Sequence, residues 1–188
     1  MIKDSALTNQ LFVVLTLPEK DISPLSQLQE KVAAAYNLFP DGQYPELHIT
    51  LDKVQIEGVQ TATQTIRKIA ANTQQVKIEI DDFTCFDNNF LVLNIAETDS
   101  LLTVSNTLHN KLRSRQLSTI YNYQDWQFHI TLISDLLSDK SIPQVDFNKM
   151  CSLLEGINHP LTTHAQNIEL WRPTLDPEAK VITSYSLE

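Results

Sequence analysis

Two cysteines in 188 residues are too few for a disulfide framework. Neither Cys85 nor Cys151 sits in a recognisable motif, so both are expected as ordinary buried small residues in a reduced, cytoplasmic setting. Three glycines leave no room for a Gly-rich linker, and no Pro-rich, Ser-rich or low-complexity stretch divides the chain. One continuous body spanning 1–188 is therefore expected. The longest apolar run, Leu11 to Leu17, is far too short to span a bilayer. Met1 to Gln10 lacks a basic segment followed by an apolar one, so no signal peptide and no membrane partner are expected. Basic residues are also scarce: 14 Lys and Arg against 23 Asp and Glu give a net charge of −9. Non-specific coating of a polyphosphate backbone rests on Lys and Arg. An extended nucleic-acid footprint is thus not expected, whereas a small substrate or a single chain end held in a local pocket is compatible.

What the chain does have is a repeated tetrapeptide. His-Ile-Thr-Leu occurs as His48–Leu51 and again as His129–Leu132. Both copies lie in β-patterned segments, read here as 46–52 and 126–133. Successive strand side chains point to opposite faces. One face of the first segment then carries Glu46, His48, Thr50 and Asp52, and the other Leu47, Ile49 and Leu51. In the second segment Gln127, His129, Thr131 and Ile133 oppose Trp126, Phe128, Ile130 and Leu132.

The surrounding pattern repeats too. A buried strand at Leu11–Leu17, stopped by Pro18, leads to a helix predicted to start at the Ser23-Pro24 cap and to bury Leu25, Leu28, Val32 and Tyr36. A turn-rich loop, 39–45, precedes the first motif. A helix through Val59, Ala62, Ile66 and Ile69 and a strand through Val76, Ile78 and Ile80 follow. After turn residues Asp87-Asn88-Asn89 the order restarts: strand Phe90–Ile95, helix through Leu101, Ser105, Leu108 and Leu112, the second motif, a helix bearing Phe147, Met150, Cys151 and Leu154, and a strand near Ala165–Trp171. A last strand is predicted at Val181–Leu187. The opening strands are 79 residues apart (90 − 11) and the motif histidines 81 (129 − 48). This order predicts two similar α+β lobes facing each other across a pseudo-twofold axis, with the two polar motif faces meeting in a cleft.

Two imidazoles on opposite sides of a phosphodiester form a base–acid pair. One, neutral, removes a proton from the attacking hydroxyl or water, and the other, protonated, gives one to the leaving oxygen. Threonine hydroxyls can donate to the non-bridging oxygens, where charge builds. This scheme needs no metal. A metal reading would use Asp52 as a third ligand, but two histidines fall short of the three or four protein ligands zinc takes. Tyr44 and Tyr123, in polar contexts upstream of the motifs, are candidates to stack on a base; Lys53 and Arg172 are candidate phosphate contacts. Trp126, Phe128 and Trp171 could also stack on a base but are expected mainly as core, and His109, His159 and His164 as surface or structural residues.

The paired His-x-Thr motifs, in a matching repeat that runs from the Leu11 strand to the Val181 strand, resemble the 2H phosphoesterase superfamily, which includes the 2′-5′ RNA ligase-like proteins and RNA 2′,3′-cyclic phosphodiesterases. The resemblance implies a bilobal α+β fold, a pseudo-twofold repeat of antiparallel sheets lining a central cleft with helices outside. It implies His48 and His129 as the catalytic pair, Thr50 and Thr131 as phosphate-binding hydroxyls, and no cofactor or metal. The implied reaction is hydrolysis of a cyclic phosphodiester on a small nucleotide or RNA end. The alternatives are 2′-5′ RNA ligation and a non-catalytic nucleotide- or RNA-binding module. The sequence departs from many ligase-like members after the motifs, where Asp52-Lys53 and Ile133-Ser134-Asp135 stand and no Arg follows.

Overall fold

The computed structural model describes residues 9–86, 90–138 and 140–187. The expected turn at Asp87–Asn89 lies outside them. The chain runs β1 (Gln10–Thr16), α1 (Glu19–Ala35), β2 (His48–Gln55), α2 (Val59–Ala70), β3 (Lys77–Phe86), β4 (Phe90–Ile95), α3 (Asp99–Arg113), β5 (His129–Ile133), α4 (Gln144–Leu154), β6 (Asn158–His164), β7 (Asn167–Trp171), α5 (Pro177–Lys180) and β8 (Val181–Ser186).

The strands form one curled eight-stranded sheet in the order β6-β3-β4-β5-β2-β1-β7-β8, and every strand pair is antiparallel. The expected two halves are β2-β1-β7-β8 and β5-β4-β3-β6. They join where the motif strands meet, at the pairing of Ile49 with Ile130. The halves are interleaved in a way the repeat alone does not show. Strand β3, the last strand of the first repeat, pairs with β4 and β6 in the second half. Helix α1 connects β1 to β2 but packs on β5; α3 connects β4 to β5 but packs on β2. Each motif strand thus rests on a helix from the other repeat. The core between sheet and helices includes Ile49, Leu51, Ile66, Leu91, Leu93, Leu101 and Ile130, all fully buried.

Several local expectations are corrected. Helix α1 begins at Glu19, with Pro18 at the N-cap position and no side-chain cap, and carries Pro24 in its second turn. Glu19 and Asp21 favour the positive end of the helix dipole there, and Asp21 N–H already closes on the Pro18 carbonyl at 2.9 Å. The motif histidines open their strands, since β2 starts at His48 and β5 at His129. Strand β6 was not anticipated. It carries Pro160 and lies at the sheet edge, where a missing N–H is tolerated. The cysteines are not free: Cys85 of β3 and Cys151 of α4 form a disulfide. A disulfide is uncommon in a reducing compartment, so the basis for expecting a reduced setting is removed. Among the described residues, no helix is long and apolar enough to cross a membrane.

Candidate active site

The two motif strands carry matching β-bulges. In β2, Val14 pairs with Thr50 and Val13 with Asp52, which leaves Leu51 as the extra residue. In β5, Val92 pairs with Thr131 and Leu91 with Ile133, leaving Leu132. Each bulge turns two successive residues inward: Leu51 and Asp52 are both buried, as are Leu132 and Ile133. The alternation beyond the threonines is therefore shifted by one. Asp52, expected beside His48 and Thr50, instead faces the helices, and Lys53 takes its place in the cleft. At the matching position of the second half stands Ser134, which also lines the cleft.

His48, Thr50, His129 and Thr131 line one cleft of about 250 Å³. The two imidazoles are held alike. The Nδ1 of His48 lies 2.7 Å from the Glu46 carbonyl, and that of His129 lies 2.9 Å from the Gln127 carbonyl. A carbonyl only accepts, so both Nδ1 atoms carry the hydrogen and both Nε2 atoms are left to exchange a proton. This contact, two residues back in the chain, follows from the histidines sitting where a loop becomes a strand. The Trp171 ring flanks His48 at 4.7 Å between centroids, and Phe86 meets His129 edge-on at 5.9 Å.

Burial lowers the pKa of both histidines from 6.5, and desolvation is the largest cause for each. For His48 the Glu46 carbonyl and carboxylate oppose it, while Lys180 and His129 add to it. For His129 the Gln127 carbonyl opposes and Lys53 adds. Lys53 is itself lowered by burial. Its ammonium lies 5.5 Å from the ring centres of both Phe12 and Trp126.

Of the other anticipated residues, Arg172 lines the cleft, with its guanidinium donating to the Ala179 carbonyl at 3.0 Å. Tyr44 and Tyr123 do not line the cleft. Tyr44 packs edge-on against Phe39. Tyr123 stacks on His109 at 3.7 Å, and burial pushes its hydroxyl up to about 12. His109 is buried against Asp52, a structural place as expected. His164 is exposed on β6.

Two residues with a stacking option, Trp126 and Trp171, and one that the sequence did not point to, Lys180, also line the cleft. Trp126, expected on the apolar face, precedes the strand and lines the cleft, its indole N–H donating to the Thr50 carbonyl at 3.2 Å. Trp171 is nearly buried yet walls the site. Lys180 lies 4.3 Å over the Trp171 ring and is paired with the Glu46 carboxylate. No local pattern around Lys180 signals this, because its partners are distant in sequence. Asp52 is bonded to His109, Ser118 and the Lys53 amide and faces away from the cleft, so the three-ligand metal reading loses its third member. Among the described residues, no group of three or more His, Cys, Asp and Glu side chains could hold a metal.

This arrangement of a curled antiparallel sheet with twin His-x-Thr strands defines a family. Residues 26–175 match the model of the 2′-5′ RNA ligase superfamily, and the chain belongs to that superfamily, the 2H phosphoesterases. Among solved structures it is similar to TT0787 of Thermus thermophilus, with TM-score 0.66 and 18% identity over 95% of this chain and 97% of that one. It is similar to E. coli LigT complexed with 3′-AMP, with TM-score 0.62 and 16% identity over 95% and 98% of the two chains. It is also similar to the MHV ns2 PDE domain, with TM-score 0.54 and 16% identity over 83% and 91%. No curated protein sequence matches the chain.

Proposed function

We propose that this protein is a metal-independent phosphodiesterase that hydrolyses a 2′,3′-cyclic phosphodiester on a small nucleotide or an RNA end. Membership of a phosphoesterase and ligase superfamily supports the reaction class. The observation that carries the reading is the matched pair of imidazoles. Each is locked by its Nδ1–H onto the carbonyl two residues back, and each keeps Nε2 for proton transfer on the walls of one cleft.

In this reading one Nε2 takes a proton from water as the water oxygen bonds to phosphorus. The other donates its proton to the 2′ or 3′ oxygen as that P–O bond breaks, leaving a nucleoside monophosphate. Thr50, Thr131 and the Lys53 ammonium hold the non-bridging oxygens, and Trp126 or Trp171 offers a flat apolar wall to the base. Titratable residues at both ends of the reaction favour turnover over binding alone. LigT has been solved with 3′-AMP and with ATP, and both of those ligands are small nucleotides.

His48→Ala and His129→Ala are each expected to lower kcat on a 2′,3′-cyclic mononucleotide by at least ~10²-fold, the low end of a general acid–base contribution. Thr50→Ala and Thr131→Ala are expected to cost less. A folded histidine variant that keeps near wild-type turnover sinks the paired mechanism. Turnover is also expected to survive EDTA; loss restored by zinc or manganese would reinstate a metal.

A further inference from the structure

Two buried polar side chains on helices occupy matching places in the two repeats. Gln29 of α1 and His109 of α3 are 80 residues apart (109 − 29), between the repeat's own offsets of 79 and 81. Each is almost fully buried, where a polar group must find a partner. Each finds it on the bulge of the motif strand in the other repeat. Gln29 Nε2 donates to the carbonyl of Leu132, the extra residue of the β5 bulge, at 3.0 Å. His109 Nδ1 meets Asp52 Oδ2, just beyond the extra residue of the β2 bulge, at 2.8 Å.

On the β2 side the bracing continues to the cleft. Asp52 Oδ1 accepts from the Lys53 N–H at 2.7 Å and from the Ser118 hydroxyl at 2.7 Å. The Lys53 carbonyl accepts from the Thr119 N–H at 2.8 Å. The backbone of Lys53 is thus gripped at both ends, directly beside the turn that sends its side chain between Phe12 and Trp126. The second half has Ile133 in place of Asp52 and Ser134 in place of Lys53, and its helix side chain reaches the bulge at the Leu132 carbonyl.

We propose that Gln29 and His109 are paired positioning residues, each holding the bulge of the opposite repeat's motif strand and so fixing the residue, Ser134 or Lys53, that the bulge turns into the cleft. The placement of Lys53 stands on geometry; its consequence for phosphate rests on the function proposed above.

The test is run on the full chain with isotope-labelled lysine, following the Lys53 ammonium by NMR, and with inorganic phosphate as the ligand. In the wild type Lys53 titrates below 10.5 because it is buried. His109→Leu is expected to return its titration toward 10.5 and to weaken phosphate binding by about tenfold, the low end of the loss of a hydrogen bond to a charged group. In a Lys53→Ala background, His109→Leu is expected to add no further loss. His109→Gln, which copies the residue of the other repeat and can still donate to Asp52, is expected to restore both readouts. Should His109→Leu not fold, the paired apolar replacement His109→Leu with Asp52→Ile, which places the other half's isoleucine at the bulge, is expected to release Lys53 in the same way. A folded His109→Leu or paired variant with Lys53 still titrating as in the wild type overturns the proposal, as does a loss that multiplies with that of Lys53→Ala. If wild-type protein does not bind phosphate, the proposed function fails, while the Lys53 titration still decides the positioning role.

Discussion

His48 and His129 are covered by aromatic neighbours on the wall of a largely apolar cleft, and desolvation lowers the pKa of both. The neutral imidazole is favoured in the fold, while the unfolded chain still takes up protons near 6.5. Stability contributed by these groups is therefore full above 6.5 and is lost as the pH falls through their lower folded values. In the reaction proposed above, the same shift moves the pH profile. One imidazole would be protonated while the other is neutral, so kcat/KM, which reports the free enzyme, is expected to be bell-shaped with its maximum on the acid side of 6.5. The two limbs belong to the pair, since His129 contributes to the shift of His48. A maximum at or above pH 7 would contradict this account. The sequence made these two histidines and their threonines legible because an identical tetrapeptide and a period of two suffice to put them on one face. It did not make Lys53 legible as the next member of that face. A bulge changes the period by one residue, and nothing in Thr-Leu-Asp-Lys distinguishes a bulged strand from a regular one. The Asp52 error and the unplaced Lys53 come from that single residue.

At the scale of elements, the Cys85–Cys151 disulfide ties the end of β3 to α4 across 66 residues of chain. Closing a loop of that length restricts the unfolded chain by about 4 kcal/mol in the chain-entropy model, toward the upper part of the usual range. Reduction, or Cys151→Ser, is expected to lower Tm by roughly 5–10 °C, taking about 2–4 °C per kcal/mol for a chain of this size and allowing for less than the full entropic gain. Thermal melts with and without reductant check it; identical melting points would mean the two thiols are not joined. Phe86, the neighbour of Cys85, touches the His129 ring, so the same melts followed by turnover report whether the tie matters to the cleft. Pairings of this kind were not legible from two cysteines without a motif, because only the register of β3 against α4 brings their Cα atoms to 6.1 Å. The long periodic elements were legible: β1, α2, β4, α3 and α4 stand where apolar spacing puts them. Strand β6 was hidden because Asn158-His-Pro-Leu-Thr-Thr-His shows no alternation, as an edge strand need not.

The molecule as a whole is acidic, with a net charge of −9, yet among the described residues three cationic side chains, Lys53, Arg172 and Lys180, line its cleft. Lys180 is neutralised in part by Glu46. The field is thus attractive to one phosphate at close range and repulsive to a polyanion beyond it, and the repulsion grows as salt is withdrawn. A cyclic phosphate on a mononucleotide and the same group at the end of a single-stranded RNA meet the same local charges. The longer ligand must also bring its remaining phosphates close to a protein of net charge −9. For the cyclic phosphodiesterase proposed above, lengthening the substrate from a cyclic mononucleotide to an oligonucleotide of about 20 nucleotides is therefore expected to leave kcat/KM unchanged or to lower it, more so at low salt than at physiological salt. Even if all three cations engaged phosphates, the slope of log K against log salt would be no steeper than about −2, at roughly 0.7 per neutralised phosphate on a single strand. Measuring kcat/KM for both substrates across a salt series tests this. A strong preference for the oligonucleotide, with a slope much steeper than about −2, would require a cationic track outside the cleft and would overturn the confined-site account.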